Sequence, residues 1–265
     1  MILKENLYNL MKALIKVPGV SGTPSEVPVA DAIKDLVMEI PYFREHPENV
    51  KLVPVEKDHL GRSIVTAYME LAPESKETVI LTGHYDVVDV EEYGNLKEYA
   101  FDIDEINARI HELPMDDDSR KDLESGKWIF GRGTADMKFG HALCIELMRH
   151  FDEETKKAAE SGDRPPLNGN LLYVAVCGEE TNSEGMLQAV SFLNDFEREK
   201  GVHYKAFLLT ECFMSDDPSR DTNKYIHYGA SGKAMPMFFF AGEACHAAEP
   251  FMGIDPDLMA CEVYK

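Results

Sequence analysis

"GNLLYVAVCGEETNSEG", residues 169–185, carries an apolar run from Leu171 to Cys177 and then sets two acids, Glu179 and Glu180, side by side. A continuous apolar run of that length fits a strand buried on both faces, as in a parallel sheet covered by helices. "SEGMLQAVSFLNDF" (183–196) follows with apolar residues at helical spacing. Strand, acidic turn and helix together form the repeating unit of an α/β fold.

The same unit recurs on either side. "ETVILTGHYDVV" (77–88) and "YKAFLLTEC" (204–212) are further apolar strands, and "WIFGRGTADMKFGHALCIELMRHF" (128–151) is a glycine-rich turn entering a helix. Upstream, Leu7, Leu10, Met11 and Leu14 predict a helix over 3–16. "PGVSGTPSE" (18–26) breaks it, and Ala30, Ile33, Leu36 and Val37 mark a second helix ending before Pro41. "NVKLVPVE" (49–56) and "RSIVTAYMEL" (62–71) read as strands joined by "KDHLGR". The expected class is therefore α/β: a mixed, mostly parallel sheet with helices on both faces, followed by the start of a smaller α+β domain.

Residues 89–127 break the pattern with many acids and few apolar runs. They read as a surface insertion carrying one helix near 102–112. The run Asp116, Asp117, Asp118 within "PMDDDSRKDLESG" is expected to be a solvated turn rather than a cation site. From about Tyr225 the texture changes again, with two strands and a helix from about Asp255 expected. The predicted division is 1–224 for the first domain, incomplete in itself, and 225–265 for the start of a second, truncated one.

Composition narrows the function. The formal net charge of −21 over 265 residues disfavours nucleic acid and anionic membranes as partners. No apolar stretch approaches the ~20 residues that span a bilayer, and the N-terminus reads as an amphipathic helix rather than a leader. Five scattered cysteines without a CxxC pair point to reduced thiols and a cytoplasmic setting.

The ends of the apolar strands carry the chemistry. "VILTGHYD" ends in His84 and Asp86, "LLYVAVCGEE" in Glu179 and Glu180, and "YKAFLLTEC" in Glu211, while "GRGTADMK" puts Asp136 at the mouth of a helix. Singly, each has an ordinary reading: a buried histidine, a turn cap, a helix N-cap, acids favoured at a helix start. Ligands of open α/β sheets bind outside the carboxyl ends of the strands, so these clusters should converge in one crevice. Histidine with several carboxylates is the donor set of zinc or a similar divalent ion, and two ions sharing a carboxylate are compatible with so many acids. Consecutive side chains in an extended segment point in different directions, so Glu179 and Glu180 should not be equivalent.

The ordered set "TGHYDVV", "GRGTADMKFG", "CGEETNSEG", "LLTEC" and "GEACHAAEP" resembles the dizinc peptidases that include aminoacylases, carboxypeptidase G, acetylornithine deacetylase and succinyl-diaminopimelate desuccinylase. "DVVDVEEYGNLKEYAFD", "PYFRE" and "YIHYGASGKAMP" are most similar to members concerned with arginine utilisation. The resemblance runs from the first helix to the last residue. It implies a zinc-peptidase catalytic domain followed by a lid and dimerisation domain, and hydrolysis of amide bonds in small peptides or N-acyl amino acids. It implies two zinc ions, with Co2+ or Mn2+ as substitutes, and a homodimer formed through the lid. His84 would bind one zinc with Glu211, Asp136 would bridge both, and Glu180 would bind the second. Asp86 would orient His84, and Glu179 would be the general base. His246, in "GEACHAAEP", would reach across a dimer interface to stabilise the oxyanion.

Relatives supply one more histidine ligand from a segment that follows the lid. That segment lies beyond Lys265, so the expectation is a piece of a longer protein, or a second metal site one ligand short. The rival reading is a metal-binding, non-catalytic relative acting as a regulator or scaffold, or an inactive fragment. Retention of Glu179 argues against it, since a pure binding protein needs no base. The same metal chemistry would also serve an ester or another acyl bond.

Overall fold

The computed structural model describes residues 4–212, 226–229 and 237–264. The chain divides into two compact units, 1–214 and 215–265, a division that falls ahead of the expected 224/225 boundary.

The first unit opens with α1 (Lys4–Ile15), whose Leu10, Met11, Leu14 and Ile15 are buried. α2 (Val27–Met38) and the short α3 (Pro41–Glu45) follow, and their Ile33, Val37 and Phe43 are fully inaccessible. The strands are β1 (Val50–Pro54), β2 (Ser63–Met69), β3 (Glu77–His84), β4 (Asn170–Val176) and β5 (His203–Leu209). Between β3 and β4 lie α4 (Ile103–Arg109), α5 (Asp117–Ser125) and the long α6 (Lys138–Ser161). α7 (Glu184–Lys200) joins β4 to β5.

The sheet order is β1-β2-β4-β3-β5. β2 pairs antiparallel with both β1 and β4, whereas β3 pairs parallel with β4 and β5. Four of the five strands therefore run the same way, and β2 alone is reversed: a mixed, mostly parallel sheet. β4 is buried at all seven positions, because its two faces are covered by different helices. Tyr173 meets α6, where its hydroxyl lies 2.7 Å from His141 Nδ1. Leu172 shares the other face with its register partner Tyr68, which packs edge-on against Phe196 of α7 at 5.1 Å. Alternation of side chains along a strand makes that division of faces unavoidable.

β5 departs from the expectation of strands buried on both sides. Among the described residues it pairs with β3 alone, and its Phe207, Leu208 and Leu209 are exposed. α6 packs mainly on β3 and β4, and α7 on β2 and β4; β5 is anchored to α7 at its start, where the Tyr204 hydroxyl donates to the Leu193 carbonyl at 2.7 Å, and its outer half is left exposed.

The insertion also differs. α4 sits where a helix was expected, but "PMDDDSRKDLESG" forms a second helix, α5, instead of a plain turn. Asp116 caps it by accepting the Ser119 N–H at 2.7 Å, and Gly126 ends it with a left-handed φ of 65°. That geometry favours glycine. Leu96, Ile106 and Ile110 give the insertion a small core of its own.

α1 is tied to the site region by Lys138, which is 1% exposed. Its Nζ donates to the carbonyls of Leu14 at 3.2 Å, Pro18 at 2.7 Å and Val17, tying down the chain where it leaves α1. Burial pulls this ammonium down to about 7.

In the second unit, α8 (Pro256–Tyr264) lies where a helix was expected, and Glu243 and Ile254 form an antiparallel bridge. Residues 226–229 and 237–240 carry no strand, and 230–236 lie outside the described residues. Among the described residues no helix is long and apolar enough to cross a membrane.

Candidate metal centre

The strand order decides which side chains meet. β4, β3 and β5 are adjacent and parallel, so their carboxyl ends lie side by side with β3 in the middle. His84 closes β3 opposite Val176 of β4, while Thr82 pairs with Leu209 of β5. The Tyr85 N–H extends the ladder to the Val176 carbonyl at 2.8 Å, and Thr210 N–H reaches the Thr82 carbonyl at 3.3 Å. A histidine on the central strand thus has a glutamate-bearing turn on either flank.

His84 is 3% exposed. Its Nε2 faces Asp136 Oδ1 at 2.9 Å, Glu211 Oε2 at 3.4 Å and Glu179 Oε2 at 4.0 Å. His84, Asp136 and Glu211 form one group whose donor atoms lie within 4.8 Å of one another, and His84, Glu179 and Glu180 form another. Asp136, on the turn before α6, is thus brought to the β3–β5 side and Glu180 to the β3–β4 side.

The other ring nitrogen is differently placed. His84 Nδ1 lies 3.0 Å from the main-chain carbonyl of Asp86 and 3.5 Å from its carboxylate. A carbonyl can only accept, so Nδ1 carries a hydrogen, and Nε2 is the ring nitrogen turned to the carboxylates, where it can exchange its proton for a metal ion. The Asp86 side chain, 0% exposed, has further partners. Its two oxygens accept the N–H groups of Glu179 at 3.0 Å and Glu180 at 3.1 Å, and the Ser21 hydroxyl donates to it. Asp86 thus meets His84 more closely through its main-chain carbonyl than through its carboxylate, which bonds the turn that carries both glutamates.

Carboxylates dominate the electrostatics around His84. Burial works against a charged imidazole, yet the hydrogen bonds it donates to Asp136, Asp86 and Glu211 outweigh it and push His84 up to about 12. The hydrogen bond to His84 holds Asp136 below the usual carboxylate range. Glu180 is raised, first by burial and then by repulsion from Asp136. Asp86 is lowered: burial opposes its charge, but hydrogen bonds from His84 and Ser21 prevail. One imidazole nitrogen surrounded by carboxylates from three segments is a donor set that fits a divalent metal ion.

His246 belongs to the second unit, where it is exposed and its Nδ1 accepts the Ala248 N–H at 3.1 Å. Reasoning from sequence missed Ser21, Glu26 and Arg62, which hold the site turn from behind. A lone serine or glutamate in a Gly/Pro/Ser-rich loop carries no signal of that, although Arg62 opening an otherwise apolar strand is a charge in an unusual place.

Similarity to known proteins agrees with this geometry. The chain is 34% identical to Protein RocB of Bacillus subtilis over 98% of its length, covering 44% of that protein. It is 35% identical to the uncharacterized protein YqjN of the same organism over 99% of its length, covering 45% of it. The chain thus spans less than half the length of these relatives. Among solved structures, the di-peptidase Dug1p of Saccharomyces cerevisiae superposes with a TM-score of 0.51 at 18% identity, over 79% of this chain and 39% of that one. That likeness is one of fold. The pattern of peptidase family M20/M25/M40 matches residues 80–225, more than half of the chain and the stretch that supplies His84, Asp136, Glu179, Glu180 and Glu211, and the chain belongs to that family.

Proposed function

We propose that the chain carries the catalytic half-site of a cytoplasmic, zinc-dependent hydrolase of amide bonds in small peptides or N-acyl amino acids. The observation that supports it most is the convergence on His84 Nε2 of Asp136, Glu211 and Glu179 from three separate segments. His84, Asp136 and Glu211 would hold one metal ion, and Asp136 with Glu180 would contribute to a second. A zinc ion there would polarise the scissile carbonyl and lower the pKa of water towards about 7.

The protein's own groups do the rest. Glu179, half exposed at 52%, takes a proton from the attacking water and delivers it to the leaving nitrogen. Asp86 keeps Nδ1–H of His84 and the N–H groups of Glu179 and Glu180 fixed, so that base and ligands hold their relative positions through the reaction. Residues 225–265 are read as the start of a lid and dimerisation domain, with His246 as its contribution to oxyanion stabilisation in a homodimer. A place in arginine catabolism is the finer form of the proposal and rests on the motifs shared with RocB.

Replacing Glu179 with Gln tests the division of labour. Zinc content should stay at the wild-type level, while hydrolysis of a panel of dipeptides and N-acyl amino acids falls by about 100-fold or more, the scale of a lost general base. Zinc retention with no amide hydrolysis in the wild type would overturn the enzymatic reading.

A further inference from the structure

The turn Gly178–Glu179–Glu180 presents three consecutive main-chain N–H groups, and each is taken by a buried carboxylate. Asp86 takes two of them. The third, Gly178 N–H, donates to Glu26 Oε2 at 3.0 Å. Glu26 comes from the loop between α1 and α2, far from the site in sequence, and is 0% exposed. Its other oxygen accepts the Gly22 N–H at 2.7 Å and Arg62 Nη1 at 2.9 Å. Arg62, 1% exposed, is shared with a second carboxylate through a two-pronged pair with Asp58, Nε to Oδ2 at 3.1 Å and Nη2 to Oδ1 at 2.8 Å, and lies 3.5 Å from Glu184.

The fit behind the turn is tight. Gly178 has a φ of +68°, and a Cβ there would lie 2.8 Å from Arg62 Nη1 and 2.5 Å from Glu184 Oε2. Only glycine allows the turn to sit this close to the guanidinium. A buried carboxylate and a buried guanidinium are expensive to desolvate, and such a pair gains little stability over well-packed apolar residues. A site next to ligating carboxylates gives the pair a use other than stability, because outer partners set the orientation of ligand-bearing groups.

We propose that Glu26, with Arg62 as its counter-ion, is a positioning residue of the metal site, holding the Gly178–Glu180 turn at the distance from His84 that lets Glu180 ligate and Glu179 act. The loop "GVSGTPSE" (19–26) is thereby a part of the site and not a plain connector: Ser21 binds Asp86 from the same segment. The metal readout of this proposal rests on the hydrolase reading above; the backbone readout does not.

The test combines Glu26→Gln and Glu26→Asp with two measurements on the purified chain. Amide hydrogen exchange should accelerate by about tenfold or more at Gly178–Glu180, while Leu172 and Val174 in β4 keep their wild-type rates. Zinc titrated into the metal-stripped protein should bind about 10- to 100-fold more weakly. In a Glu180→Gln background, Glu26→Gln should cost clearly less than in the wild type, because it acts through the ligand already removed. Glu26→Asp keeps the charge that Arg62 needs and retracts it from Gly178, so it decides the matter if Glu26→Gln does not fold. Unchanged exchange at Gly178–Glu180, uniform acceleration throughout β4, or a fully additive cost with Glu180→Gln would each overturn the proposal. A wild type that binds no zinc would instead sink the metal reading, leaving exchange at the turn to decide the role of Glu26.

Discussion

β4 and β5 flank the same strand and deliver glutamates to the same histidine, yet they are built in opposite ways. β4 is buried along its whole length, and its outgoing turn is held by Glu26 and Asp86. β5 has exposed apolar side chains along its outer half, and the segment leading to Glu211 is held to the sheet by Thr210 N–H on the Thr82 carbonyl. One wall of the site is fixed by two buried carboxylates and a guanidinium, and the other by the edge of a ladder. The wall bearing the proposed base is the fixed one, as catalysis by pre-positioned groups requires.

The contrast can be broken by truncation on either side. Leu172→Ala in β4, at a fully inaccessible position, should cost about 2–5 kcal/mol by urea unfolding. Phe207→Ser on the exposed part of β5 should stay within about 0.5 kcal/mol of the wild type. Equal costs would mean that the two strands are not differently buried in solution.

A smaller effect isolates the support behind the fixed wall. The hydrogen bonds from Arg62 hold Asp58 down at about 2, below the ordinary aspartate value of about 3.9. Because the folded value is the lower one, the stabilisation is complete above about pH 4 and is lost as pH falls towards 2. Asp58→Asn should therefore cost about 1.5–3 kcal/mol at pH 7, the range for a charged hydrogen bond. Its unfolding curve should approach that of the wild type as the pH drops below about 4. A gap that stays constant from pH 7 to pH 3 would show that the ion pair contributes nothing through its charge.

These differences also mark what a sequence can and cannot disclose. His84, Asp86, Glu179, Glu180 and Glu211 stood out because each ends an apolar run, where a polar side chain needs a reason. The helices of the sheet layers were legible from their apolar periodicity. α5 was not, because "DDDSRKDLESG" has a single apolar residue in its helical span, Leu123, and owes its ends to Asp116 and Gly126. The exposure of β5 was hidden for a different reason: an apolar run reports that a strand suits burial, not what lies over it. Glu26 was illegible because its partners, Gly22, Arg62 and Gly178, come from three separate segments.

The central claim is that His84 and the carboxylates around it form a metal centre. Equilibrium dialysis of the metal-stripped chain against zinc, wild type beside His84→Ala, tests it most directly. The expected result is zinc bound by the wild type and an affinity lower by about 100-fold or more in His84→Ala, the loss of a ligand exceeding the 10- to 100-fold seen for outer partners. Zinc bound equally by both proteins would contradict it.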